Sequence, residues 1–342
     1  MLVLASPGLS SPRGGAVSCV ARLRSPKPLA QYEDPGPEHL RTVDGFLGET
    51  AETLRTVFDE RFEEPRQAHP MRFCWDYWHV PSQYTLHRTQ AASYFDEDAF
   101  AALTDALTAF GQRELGCRAI SPPWLSFYVD GCEQRLHADV PQGPFAFVLS
   151  LTRWEERRFS GGETSLLRPE TLDYWRGFDS SVGLERGDLV AEVQPLFDRL
   201  TVFDARLPHG VSRVEGERDP RGGRLVLHGW FTEPAPFSEG ALTEEEVGEG
   251  LAAPLEALYA EISPPAVTGL LAVRLEVGAD GTVAALRHLA DTLVVDPSQL
   301  QRGAEADDAR PAVLNAVETH LGGARFAPSG GNSSVTVPFL FD

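Results

Sequence analysis

Apolar positions along this chain follow two different periods. From Glu49 to Phe62 the residues Leu54, Val57, Phe58 and Phe62 recur at intervals of three and four, and Phe100, Leu103, Leu107 and Phe110 repeat that spacing. Such intervals line one face of an α-helix, so two amphipathic helices are predicted ahead of the middle of the chain. Between them Phe73, Trp75, Tyr77 and Trp78 form a dense aromatic stretch that reads as core, with a substrate platform as the competing reading. From Trp124 the texture becomes short β-prone runs broken by Gly, Pro and Asp: WLSFYVDG, FAFVLSLT, GGETSLL, RLTVFD and RLVLHGWF. Several short strands with turn signals between them predict a mostly β sandwich or barrel-like unit, not a βαβ sheet.

Beyond Phe231 the segment TEPAPFSEG reads as a linker, and Thr243 with Glu246 three residues on is a capping-box pattern opening a helix toward Ile262. The acidic run Glu244 to Glu246 is accounted for by that helix start. In the tail Leu271, Val273, Leu275 and Val277 alternate, GADG makes a turn, and Thr282 to Leu289 returns as a second strand. Ala309 to Leu321 is predicted helical, and Val335, Val337, Phe339 and Phe341 alternate to the end, which gives a small α+β module of ββαβ order. Residues 1 to 40, rich in Pro, Gly and Ser and without periodicity, are expected to be a flexible leader.

Composition narrows the function classes. Hydrophobic residues at 42% and charged residues at 23% of 342 are ordinary globular proportions, enough for a sizeable core. A net charge of −20, with no basic run to reverse it locally, disfavours nucleic acid and anionic membrane surfaces as partners. The four cysteines, Cys19, Cys74, Cys117 and Cys132, have neither zinc-site spacing nor the density of a disulfide scaffold. No uncharged apolar run approaches the ~20 residues that span a bilayer, and the expectation is a soluble cytoplasmic protein.

The chemistry concentrates in RLHADVPQGP and PHGVSRV. On an extended strand residues i and i+2 share a side, so His137 and Asp139 are expected to point into one cavity. His209 supplies a third ligand from a later strand-like run, and two imidazoles with one carboxylate compose the facial triad of non-haem iron enzymes. Each histidine taken alone reads as structural; the combination points to a metal. Downstream, Arg224, Val226, His228 and Trp230 share one strand face, and Arg224 offers a planar fork for a carboxylate. Asp204, in VFDARLPHG, is expected to brace the loop before His209 and not to bind metal.

These residues together resemble the prolyl-4-hydroxylase-like branch of the 2-oxoglutarate and Fe(II)-dependent oxygenase superfamily. The resemblance rests on H-x-D, a central S-G-G-E after an apolar strand, a distal H-x-V, and an arginine six residues before Trp-Phe, and it spans about a third of the chain, Trp124 to Pro234. It implies a double-stranded β-helix (jelly-roll) fold, with Fe(II) on His137, Asp139 and His209, and Arg224 on the distal carboxylate of 2-oxoglutarate. Ser160 to Glu163 would form the turn into a central strand. Where several family members place a second hydroxyl, this chain has Leu149, so Tyr128 or His228 is expected to supply that contact, although His228 equally suits a core histidine. The tail, through GADGTV, ARF-x-P and VTVPFLF, resembles the C-terminal domain of TonB-type proteins.

The organisation so implied is a leader at 1–40, an oxygenase domain at 41–235, a linker and helix at 236–263 and a TonB-like domain at 264–342, available for protein contact. The implied reaction consumes 2-oxoglutarate and O2 and hydroxylates an unactivated C–H bond of a small-molecule or peptide substrate, with an amino-acid side chain, free or in a peptide or protein, as the leading substrate. Two other classes compete: an inactive β-helix used as a binding module, and a metal-dependent hydrolase or isomerase on the same barrel, which has no use for Arg224. Halogenation is disfavoured because Asp139 fills the position a halide would need.

Overall fold

The computed structural model describes residues 37–64, 66, 69–169, 171, 181, 183–300 and 305–341, so the leader expected at 1–40 lies almost wholly outside the described residues. Residues from Gly36 onward belong to one compact unit built on two sheets. The first sheet has twelve strands: β1 (Leu40–Asp44), β2 (Asp76–Val80), β3 (Tyr84–Gln90), β4 (Ala119–Ile120), β5 (Trp124–Tyr128), β6 (Glu133–His137), β7 (Phe145–Ser150), β8 (Thr164–Leu167), β9 (Val190–Val193), β10 (Arg199–Asp204), β11 (His209–Val211) and β12 (Arg224–Thr232). Its order is β1-β10-β7-β12-β5-β3-β6-β11-β8-β9, with β2 on β3 and β4 on β12, and the strand pairs are antiparallel.

The sheet curls on itself. Arg224 on β12 and Thr164 on β8 are separated by four strands in that order, yet they are hydrogen-bonded at 3.1 Å. β3 makes the fold-over, pairing through His87–Gln90 with β5 and through Tyr84–Thr85 with β6. The result is the jelly-roll-like core expected from the run of short strands. Alternation along each strand assigns its two faces. Leu125 and Phe127 of β5, Leu225, Leu227 and Phe231 of β12, and Phe145, Phe147 and Leu149 of β7 enter one hydrophobic core with helices α1 (Glu49–Glu63) and α2 (Glu97–Phe110). The helices contribute Leu54, Phe58, Leu103, Leu107 and Phe110, the faces their spacing predicted.

The aromatic stretch splits. Trp75 packs edge-on against Phe58 and Phe127, but Phe73 and Tyr77 are 78% and 62% exposed, and Trp78 faces the inside of the curl. A core reading of all four was therefore too simple. β2 is an edge strand that pairs with β3 alone, so one of its faces has nothing to cover it.

The second sheet runs β13 (Phe237–Gly240), β17 (Ser333–Phe341), β14 (Val267–Val277), β15 (Val283–Asp291), with β16 (Val294–Val295) also on β14. The TEPAPFSEG segment is thus not wholly a linker: Phe237–Gly240 adds an edge strand to β17. Helix α3 (Glu244–Ile262) begins in the expected box, Thr243 and Glu246 capping one another, and α4 (Ala306–Gly322) lies beside it. Leu271, Val273, Leu275 and Val277 face these helices, while the intervening Leu270 and Ala272, with Ala290 of β15, enter the core of the first sheet. β14 is therefore buried on both sides, which a simple alternation does not announce.

Candidate metal and co-substrate site

β6 and β11 are neighbours, and their register puts His137 directly opposite His209. The two imidazole rings stand 4.5 Å apart between centroids. Asp139 joins them, but not from a strand: β6 ends at His137, and Asp139 lies in the following turn, just before Val140 and Pro141. The Asp139 position is set instead by its own N–H donating to Ala205 O at 2.9 Å and by Trp230 Nε1 donating to its Oδ2 at 3.1 Å.

One ligand atom from each of His137, Asp139 and His209 lies within 4.8 Å of the others. Both rings are oriented by the backbone. His137 Nδ1 donates to Arg135 O at 2.8 Å and His209 Nδ1 to Leu207 O at 2.9 Å, so Nε2 is the nitrogen that each ring turns toward Asp139. Nε2 of His137 is 3.6 Å from Asp139 Oδ1, and that of His209 is 3.2 Å from Oδ2. Burial pushes the Asp139 carboxyl up, but the His209 contact, the positive potential of both imidazoles and the Trp230 donor outweigh it and hold it below its ordinary value. Two imidazole nitrogens and one ionised carboxylate converging on a common point, with their outer hydrogens already committed, fit a divalent transition metal.

The loop from Asp204 to Pro208 carries the backbone acceptors for two of the three residues, Ala205 O and Leu207 O. Asp204 is 1% exposed and braces that loop as expected, accepting from His39 Nδ1 at 3.1 Å and from the Arg206 guanidinium at 2.6 Å. Arg206 continues outward to Thr268 Oγ1 at 3.1 Å and Thr292 O at 2.8 Å, both in the second sheet. Nothing in the local sequence marked this outward link of Arg206, because Thr268 and Thr292 are 62 and 86 residues away.

Behind the three residues lies a cavity of about 270 Å³, and Arg224, Val226, His228 and Trp230 all line it, as their shared strand face required. Arg224 is 1% exposed. Its Nη2 donates to Thr164, whereas Nε and Nη1 are buried with no hydrogen-bond partner. Burial lowers its pKa, with the neighbouring Tyr128 opposing, yet a guanidinium remains charged. A buried cation with two unmet donors beside an open cavity fits a bidentate carboxylate. Tyr128 faces it across the strands; burial drives the Tyr128 phenol up to about 12, and its hydroxyl donates to Gln134 Oε1 at 2.9 Å. His228 bonds Ser126 Oγ through Nε2 at 2.9 Å, and burial, then the charges of Arg224 and Arg88, bring it down to about 4, so it is neutral near pH 7.

The hydroxyl sought at position 149 does not belong there. Leu149 is fully buried in the helix-side core, on the face of β7 that turns away from the cavity. Thr164 is the hydroxyl that lies against Arg224, reached through the turn at Ser160–Glu163. Gly161 and Gly162 take φ of +75° and +86°, and a Cβ on Gly161 would sit 1.8 Å from Arg213 O, so that turn requires glycine before β8 can begin.

Comparison of the sequence with family models and with curated proteins finds no match. Comparison of the structure finds a prolyl-4-hydroxylase from Pseudomonas putida at 19% identity and a TM-score of 0.39, covering 57% of this chain and 93% of that one. A prolyl hydroxylase from Trichoplax adhaerens gives 15% identity and a TM-score of 0.40 over 57% of this chain and 83% of that one. HygX from Streptomyces hygroscopicus, solved with nickel and 2-oxoglutarate, gives 14% and 0.37 over 56% and 81%.

Proposed function

We propose that this chain is an Fe(II)- and 2-oxoglutarate-dependent oxygenase that hydroxylates an unactivated C–H bond. The observation that carries this reading is the pairing of two features in one cavity: a metal-competent His137, Asp139 and His209 at one part of its wall, and a buried Arg224 with unmet donors at another. A hydrolase or isomerase needs the first and has no task for the second.

In this reading His137, Asp139 and His209 would hold iron through Nε2, a carboxylate oxygen and Nε2. When bound, iron with 2-oxoglutarate and O2 supplies the oxidising power, the co-substrate leaving as succinate and CO2. Arg224 would receive the distal carboxylate of 2-oxoglutarate end-on, through the unmet Nη1 and the second N–H of Nη2, whose other N–H is held by Thr164. His228, being neutral, adds no competing charge, and its bond to Ser126 holds the ring against the wall. Trp230 keeps the Asp139 carboxylate turned toward the two imidazoles. Tyr128 buttresses Arg224 through its ring, and its hydroxyl is engaged by Gln134, so its part is positional. The second sheet, whose sequence resembles a TonB-type domain, is assigned a supporting and protein-contact role. Succinate release from 2-oxoglutarate with added iron tests the reading; iron binding without any such release would instead favour a non-oxidative enzyme.

A further inference from the structure

We propose that Arg88 is the receptor for a carboxylate on the primary substrate, which makes that substrate a small monocarboxylic acid. The inference rests on the oxygenase reading for the identity of the other occupants of the cavity.

Alternation along β3 turns Tyr84, Leu86 and Arg88 into the cavity, while His87 faces the other way and stacks on Phe127. The Arg88 guanidinium lies over the rings of Trp78 and Trp124, 4.0 Å from the centroid of the latter. Aromatic faces hold the plane of the cation and satisfy none of its N–H donors, which leaves its in-plane edge as a fork for an oxyanion. Its Nε is buried without a partner. Among the described residues no carboxylate makes an ion pair with it: Asp76, directly opposite on β2, is exposed and acts only at longer range. Among the described residues, other buried arginines are engaged by the protein, Arg55 by Asp59 and Leu151 O, Arg274 by Thr336 and Gln112 O, and Arg310 by Asp291. Arg88 and Arg224 each have a buried donor unmet and no carboxylate ion pair, and both line the same cavity.

The two arginines stand apart on the sheet. Arg88 pairs with Ser126, which pairs with Val226, whereas Arg224 pairs with Tyr128 one repeat further along. Two strands across and two residues along separate the two Cα atoms by roughly 12 Å. Charge balance points the same way. Iron(II), Arg224 and Arg88 bring four positive charges; Asp139 and the two carboxylates of 2-oxoglutarate bring three negative ones. One anionic group is missing, and a monocarboxylate supplies it. A cavity of about 270 Å³ that must also admit the co-substrate favours a small molecule over a length of peptide.

The test is calorimetric titration of small monocarboxylic acids, and of the corresponding carboxamides, into nickel-loaded full-length protein with and without 2-oxoglutarate. At least one acid is expected to bind at least tenfold more tightly than its amide. Arg88→Met should erase that difference while leaving 2-oxoglutarate affinity and the melting temperature unchanged, and Arg88→Lys should restore part of it. Equal binding of acid and amide, or binding of no acid at all, overturns the proposal. So does a loss of 2-oxoglutarate affinity in Arg88→Met, which would hand Arg88 to the co-substrate. Failure of the oxygenase reading shows separately, as absence of succinate release by the iron-loaded protein, because acid and amide are compared without turnover.

Discussion

Tyr128 and Arg224 stand directly opposite one another on β5 and β12, and the guanidinium carbon lies 4.7 Å from the centre of the phenol ring. The ring shields one face of a cation that has no carboxylate partner, so the cation is kept for a ligand. Arg224→Ala should weaken 2-oxoglutarate binding at least roughly tenfold, since a charge-assisted bidentate contact is typically worth about 1.5–3 kcal/mol. Arg224→Lys should fall between, and Thr164→Val should cost a smaller factor by releasing Nη2. Arg221→Ala and Arg218→Ala should change little, because these side chains engage Asp219 and Asp130 on the surface loop. Calorimetry with 2-oxoglutarate reads all of these; insensitivity of Arg224 would remove the co-substrate from this cavity.

The metal site gives a sharper contrast. Asp139→Ala should abolish binding of Fe(II), or of a Co(II) probe followed by its visible absorption, and with it succinate release. Arg224→Ala should leave the Co(II) spectrum intact. Near-normal turnover in Asp139→Ala would sink the three-residue assignment.

Much of this was readable from the chain, and what was not has physical causes. Strand period and helix spacing announced the curled β core and its two covering helices because half-buried elements must alternate. The residues that line the cavity were readable because Arg224, Val226, His228 and Trp230 share one strand face and because His137 and His209 each begin or end a strand. Three things were hidden. Asp139 is placed by Trp230 and Ala205, contacts between distant segments that no local period encodes. Thr164 and Leu149 differ only in which face of a strand they occupy, and a resemblance in sequence does not fix register to one residue. The exposure of Tyr77 goes with its place on β2, which among the described residues has a neighbour on one side alone.

Arg206 offers a test of how the second sheet supports the site. It holds the buried Asp204 and reaches Thr268 and Thr292, while the flanking Ala205 and Leu207 carbonyls hold Asp139 and His209. Arg206→Ala leaves Asp204 with His39 as its remaining side-chain partner, and should cost about 1–3 kcal/mol of stability together with a loss of Co(II) affinity. A fall in melting temperature with unchanged Co(II) affinity would show that the clamp serves the fold alone.

His228 gives the fold an acid-side signature. Its folded pKa is brought down to about 4, by burial first and then by Arg224 and Arg88, against an ordinary value of 6.5. Between those values the unfolded chain binds a proton that the folded chain refuses, so stability must rise with pH through that window and level off above about 6.5. Because the ring borders an open cavity, the contribution should be on the order of 1–2 kcal/mol, less than the whole shift would imply. His228→Gln, which can still bond Ser126, should flatten the dependence of the urea midpoint on pH between about 4 and 6.5 and leave the midpoint near pH 8 little changed. An unaltered slope in that variant would assign the acid sensitivity of this window to groups other than His228; the depressed carboxylates Asp139 and Asp204 add their own loss only at lower pH, below the ordinary carboxylate range.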